Sequence, residues 1–142
     1  MSLPSLKKAS VKEKTALLRA DLDVPIKNGK VVDDFRIQRA LPTIQYLMKK
    51  KAKIIIVSHL GRPKGWDEKF TLLPAAQRLA ELLNLKFLKI DKATAKLPQY
   101  SPPHFFFFTE DIHSDHAKKL LAEINPGDVR SEERRVGKEC RL

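Results

Sequence analysis

Ile54-Ile55-Ile56-Val57-Ser58-His59-Leu60-Gly61-Arg62-Pro63-Lys64-Gly65 is the stretch that decides the fold. Its first four residues are apolar, β-branched and bounded by polar residues, the pattern of a buried strand. The strand then stops in a run of His, Gly, Arg, Pro, Lys and Gly, residues that present groups rather than pack. In open α/β sheets, ligands sit at the carboxyl ends of strands. Arg62 carries a rigid, permanently charged fork suited to carboxylate or phosphate. His59 donates a hydrogen bond from either ring nitrogen, according to tautomer or charge. Gly61 and Gly65 admit backbone angles that other residues resist, and Pro63 stiffens the segment between them. The loop suits an anion. It suits an ordinary surface turn with solvated charges equally well.

Upstream, Thr15-Ala16-Leu17-Leu18-Arg19 reads as a first strand after a polar, basic leader. In Arg19-Ala20-Asp21-Leu22-Asp23-Val24-Pro25, the two aspartates alternate with apolar residues and share one face. Paired carboxylates repel unless cations or donors meet them, so a metal pair, bridging arginines or a polar strand end all fit. Asn28-Gly29 marks a tight turn. Asp33 or Asp34 caps the next helix, whose apolar face is Ile37, Leu41, Ile44, Leu47 and Met48. Pro42 predicts a short turn followed by a main helix that starts near it. Arg36, near the helix start and off its apolar face, is placed to reach a ligand or to pair with Asp33 or Asp34.

Downstream, Thr71 caps a helix from Leu72 to about Leu83, and Lys86-Phe87-Leu88-Lys89-Ile90 alternates as a short strand. Phe105-Phe106-Phe107-Phe108 reads as a buried strand rather than a ligand cage. Asp111, His113, Asp115 and His116 hold metal-binding types, but they precede a helix from about Ser114 to Ile124, where caps and surface fit better. Pro126-Gly127-Asp128-Val129 is a turn that should introduce another strand. After it, Arg130 to Leu142 shows no period and one branched apolar residue, so no strand is expected there. Strand–helix alternation argues a parallel sheet with right-handed crossovers.

The chain of 142 residues is long enough for one domain with a core. No run approaches a membrane span, and the first residues lack the apolar stretch of a secretory signal. Cys140 is the single cysteine, so an internal disulfide is ruled out. These features point to the cytoplasm. The net charge of +11 raises nucleic-acid binding. The lysines, however, are scattered beside apolar segments, with no aromatic interleaving for base stacking. A small anionic substrate fits the same charge, and neither nucleic acid nor membrane is expected as a partner.

Three motifs in order, Leu18-Arg19-Ala20-Asp21-Leu22-Asp23-Val24-Pro25, Asp33-Asp34-Phe35-Arg36-Ile37 with Ala40-Leu41-Pro42-Thr43-Ile44, and Ser58 to Gly65, resemble the first part of the N-terminal domain of the phosphoglycerate kinases. The likeness runs from about Thr15 to Val129. It implies an α/β fold, a partial Rossmann-like parallel sheet flanked by helices, with residues 1–129 an incomplete glycerate-binding domain. It also implies phosphoryl transfer between 1,3-bisphosphoglycerate and ADP, giving 3-phosphoglycerate and ATP, by a phosphotransferase with a carboxyl group as acceptor. By the resemblance, Arg36 is catalytic, and Asp21, Asp23, Arg36, His59 and Arg62 bind 3-phosphoglycerate or 1,3-bisphosphoglycerate. Mg²⁺ with ATP or ADP belongs to the full-length family, whose members are usually monomeric. This portion is expected to hold no metal or nucleotide and to be inactive by itself. A non-catalytic α/β anion-binding or interaction module is the alternative.

Two departures stand out. Asp23 occupies a position where the family usually has Asn, and an ionised Asp accepts hydrogen bonds but donates none. Residues 130–142 bear no likeness to the family's strand ending in Glu-Asn-Leu-Arg-Phe. They resemble translated adapter or vector sequence, and are expected to be a disordered tail.

Overall fold

The computed structural model describes residues 2–61, 67–109 and 114–132. β1 (Thr15–Arg19) leads through a hairpin of β2 (Ile26–Lys27) and β3 (Lys30–Val31) into α1 (Phe35–Lys49) and then β4 (Lys53–Val57). α2 (Leu73–Leu82), β5 (Lys86–Ile90), β6 (His104–Phe108), α3 (Asp115–Leu121) and β7 (Val129–Glu132) follow. The main sheet has five strands in the order β1-β4-β7-β6-β5, all of its pairs parallel. The partial Rossmann-like α/β class expected from the alternation is the observed one. Among the described residues no helix is long and apolar enough to cross a membrane.

Period-two alternation sends the strand side chains to two cores. Ile54, Ile56, Phe105, Phe107 and Val129 meet Ile37, Ile44 and Leu47 of α1 and Ala75, Ala76 and Leu79 of α2. On the opposite face Ile90, Phe106 and Phe108 meet Ala117 and Leu120 of α3. The four consecutive phenylalanines are thus fully buried, two to each side. α3 covers only part of its face: Leu17, in register with Ile55, is 66% exposed.

Two sequence expectations are corrected. First, α1 is continuous from Phe35 to Lys49 with Pro42 inside it. An interior proline costs about 3 kcal/mol. Burying Ile37, Ile44 and Leu47 recovers about 1.5–3 kcal/mol each, so packing overrides the local break. Second, the strand not expected after Val129 is present. Arg130, Ser131 and Glu132 continue β7 between β4 and β6. The ladder is built from main-chain N–H and C=O groups, so the slot between two parallel strands accepts a backbone whose side chains are polar. The expected disorder therefore does not extend to residues 130–132. Residues 133–142 lie outside the described residues.

The turn before β7 is tied down by Asp128, which is fully buried. Its carboxylate accepts the main-chain N–H of His104 and of Asn125, each at 2.9 Å, and the Tyr100 hydroxyl. Burial, with Asp128 beside it, pushes the Tyr100 phenol up to about 12.

Candidate functional site

The parallel register pairs Arg19 with Val57, and the Ala20 N–H extends the ladder to the Val57 carbonyl at 3.1 Å. β1 and β4 therefore end side by side, and the segments leaving them meet. Leu22 and Val24 turn into the core, 0% and 4% exposed, which leaves Asp21 and Asp23 on the outward side as their alternation requires. The Leu22 N–H donates to Ser58 Oγ at 3.0 Å, and the Gly61 N–H donates to Asp23 Oδ1 at 3.1 Å.

The hairpin at Asn28-Gly29, both in the left-handed region at φ 51° and 71°, reverses the chain and delivers α1 to the same place. Asp33 Oδ1 accepts the Phe35 N–H at 2.9 Å at the helix start. Arg36, in the first turn, donates from Nη1 to the Asp23 carbonyl at 3.1 Å and lies 3.4 Å from Asp21 Oδ2. Asp21 Oδ1 accepts the Asp23 N–H at 3.1 Å. The fold thus brings Asp21, Asp23 and Arg36 together beside Gly61. His59 is exposed at the β4 exit, two residues from Gly61. Arg62, expected to grip an anion, lies outside the described residues.

Two arginines that sequence reasoning did not assign join the group. A cleft of about 220 Å³ is lined by Arg19, Asp21, Arg36, Arg39 and neighbouring apolar groups. Arg39 follows Arg36 by one helical turn, and i,i+3 neighbours share a face; that spacing was the available signal. Its guanidinium sits 5.9 Å from the centre of the Phe35 ring. Three guanidinium groups against one carboxylate make the cleft basic. Arg36 is 54% exposed, so donors of its five-pointed fork remain for a ligand.

A larger cavity, of about 780 Å³, lies between the hairpin and α2 and is lined by Lys30, Asp33, Asp34, Gln77, Arg78 and others. Three of its charges, Arg78, Asp34 and Glu81, are spent on one another. Arg78 donates to Asp34 at 2.8 Å and to Glu81 at 3.0 Å, and Gln38 donates to Asp34 at 2.7 Å. The Arg78 bond holds the Asp34 carboxyl below its usual range. The volume is larger there, but the convergent free donors are at the strand ends.

The other sequence candidates separate. Among the described residues no three His, Cys, Asp or Glu side chains gather to hold a metal. Asp115 lies in the first turn of α3, whose cap is Ser114 through its bond from the Ala117 N–H. The His116 ring bonds the Thr94 carbonyl. Asp111 and His113 lie outside the described residues.

The family model for phosphoglycerate kinase matches residues 6–129, so it spans the whole cleft and stops at the residue where the sequence loses its period. The phosphoglycerate kinase of Nostoc punctiforme is 53% identical over 91 residues, 63% of this chain and 23% of its own length. That of Pelotomaculum thermopropionicum is 49% identical over 130 residues, 91% of this chain and 28% of its own. Among solved structures, phosphoglycerate kinase from Coxiella burnetii superposes with a TM-score of 0.65 at 30% identity, covering 94% of this chain and 28% of that one. The enzyme from Pyrococcus horikoshii OT3 gives 0.65 at 30% identity over 90% of this chain and 27% of its own. The chain spans about a quarter of the length of the relatives it matches. With the matched region running from the leader through the sheet to the start of β7, the chain belongs to the phosphoglycerate kinase family.

Proposed function

We propose that this chain is the glycerate-binding portion of a phosphoglycerate kinase, a phosphotransferase that moves a phosphoryl group between 1,3-bisphosphoglycerate and ADP. The observation that carries the reading is the basic cleft between the β1 exit and α1, where Arg36 is held by Asp21 and the Asp23 carbonyl. Phosphoryl transfer asks a protein for positioning and charge neutralisation more than for a covalent nucleophile. Arg36, Arg19 and Arg39, with His59 and Arg62, supply cations and donors for the carboxylate and phosphate of 3-phosphoglycerate. Arg36 has the catalytic role, its remaining donors meeting negative charge on the reacting group.

On this reading the chain holds neither Mg²⁺ nor a nucleotide. Asp21 is committed to Arg36 and to the Asp23 N–H, and no third carboxylate or histidine joins them. The nucleotide side of the reaction belongs, on this reading, to parts of a full-length enzyme outside this chain. The chain by itself is a binding module without turnover, acting in the cytoplasm.

Calorimetric titration with 3-phosphoglycerate, ATP and a random oligonucleotide tests the reading. The expected result is binding of 3-phosphoglycerate that weakens with salt, because exposed charges are screened, and is lost in Arg36→Ala. Equal affinity for 3-phosphoglycerate and inorganic sulfate would favour a general anion-binding module instead. Absence of 3-phosphoglycerate binding, or tighter binding of the oligonucleotide, would overturn the proposal.

A further inference from the structure

We infer that Arg78 is a positioning residue for the glycerate site: its guanidinium, forked onto Asp34, fixes the start of α1 and with it the direction from which Arg36 enters the cleft. This rests on the reading of that cleft as the glycerate site. Asp34 stands at the N-cap position of α1, yet its side chain makes no capping bond. The Phe35 N–H is met by Asp33 instead. The Asp34 carboxylate is turned to α2. Arg78 Nε and Nη2 both reach its Oδ2 at 2.8 Å, and Gln38 Nε2 donates to its Oδ1 at 2.7 Å. The Asp34 carbonyl meanwhile accepts the Gln38 N–H at 2.9 Å, the bond that opens the helix. Side chain and main chain of one residue thus tie the first turn of α1 to Arg78, 44 residues away.

The anchor is itself fixed. Ala75, Ala76, Leu79 and Ala80 bury one face of α2, and Arg78 Nη1 is braced on Glu81 Oε2 at 3.0 Å. Two donors of a planar fork on one carboxylate make a directional link, which a point charge would not. Successive residues of a helix turn by about 100°, so positions 34 and 36 face nearly opposite ways around the start of α1. Arg36 therefore leaves on the side away from α2, where its Nη1 meets the Asp23 carbonyl at 3.1 Å and Asp21 Oδ2 at 3.4 Å. Ile37 beside it is fully buried and holds the helix down on the sheet. Arg36 is half-exposed and both of its contacts lie on the β1 exit, so its aim depends on the backbone that carries it. The Arg78–Asp34 pair is partly exposed, and such pairs add little to global stability. What the fork supplies is direction.

Calorimetric titration of the 142-residue chain with 3-phosphoglycerate tests the inference, with Arg78→Gln, Asp34→Ala and the double variant beside it. Urea midpoints and the amide exchange of Gln38 are read on the same proteins. Arg78→Gln and Asp34→Ala should each weaken binding about fivefold and speed Gln38 exchange about fivefold, because the first turn loses its tie. The double variant should lose no more than either single one, since both act through one link. The urea midpoint should hardly move. The charge at position 34 acting by itself predicts the opposite sign: removing a carboxylate near an anion site tightens binding. Tighter binding in Asp34→Ala, or losses that add in the double variant, would overturn the inference. So would a midpoint that falls in step with the affinity, which would make Arg78 a residue of stability only. Should the parent chain bind no 3-phosphoglycerate, the proposed function fails, while Gln38 exchange in Arg78→Gln still decides whether Arg78 holds the start of α1.

Discussion

Replacing Arg130 and Glu132 together by Leu and Val should stabilise this chain, whereas replacing Arg130 alone should destabilise it. Both residues sit on a central strand, 1% and 8% exposed. Ile55, Arg130 and Phe106 are in register, so a guanidinium stem stands in a row of apolar side chains. Arg130 Nη2 lies 3.0 Å from Glu132 Oε1, yet neither Nε nor Nη2 makes a well-directed hydrogen bond. The distance establishes the ion pair; the N–H directions show that it is a poor one. Each unsatisfied buried donor costs about 1–3 kcal/mol. The Phe108 ring, 4.4 Å from the guanidinium carbon, returns about 0.5–2 kcal/mol. Burial drags the guanidinium down to about 10, against a smaller opposing pull from Glu132, the mark of a charge held where it is poorly solvated. Exchanging a buried ion pair for apolar residues of similar volume is worth about 1–4 kcal/mol, while removing one partner costs about 3–5 kcal/mol. Urea unfolding is the assay. The midpoint should rise in Arg130→Leu/Glu132→Val and fall in Arg130→Leu, with the slope unchanged. A double variant less stable than the parent would refute the reasoning. So would a single variant more stable than the parent, since it would show that Glu132 does not depend on Arg130.

Asp128→Ala should cost about 3 kcal/mol in the same assay, because the N–H groups of His104 and Asn125 and the Tyr100 hydroxyl lose a buried acceptor at once. Tyr100 gives a pH signature: its folded value, about 12, lies above the ordinary tyrosine value of about 10, so its contribution is complete below about pH 10 and lost as pH rises toward about 12. Arg130 titrates in the same window with the opposite sign, so the difference between the parent chain and Tyr100→Phe, measured by urea midpoints at successive pH values, isolates the tyrosine; no narrowing of that difference would refute the assignment. Gly61→Ala should destabilise by about 1–2 kcal/mol from its left-handed backbone and lower 3-phosphoglycerate affinity, read by thermal melting and calorimetry.

Local patterns carried most of the architecture. The short apolar segment at 15–19, alternation in 86–90, the β-branched run at 54–57 and the phenylalanine run at 105–108 each describe a strand within their own few residues, and the observed strands follow them. Asn28-Gly29 and Ser114 are equally local signals, a turn and a cap complete within four residues. The strand through Arg130 to Glu132 was illegible for the complementary reason: its side chains contradict burial, and only the open ladders of β4 and β6 make its backbone a strand.

At the site, residue types were readable and their partners were not. Asp21, Asp23, Arg36 and His59 stand at strand ends and a helix start in the sequence pattern, while their joint assignment to one anion site came from the family resemblance. That Asp23 takes the Gly61 amide 38 residues away, that Arg36 rests on a carbonyl rather than on Asp33 or Asp34, and that Asp34 turns instead to Arg78, 44 residues on, were decided by the tertiary structure. Helical period, strand alternation and turn chemistry act over a few residues and are written in the sequence. Pairing across the sheet depends on the strand order β1-β4-β7-β6-β5 and on the register of each ladder, which exist only once the chain has folded.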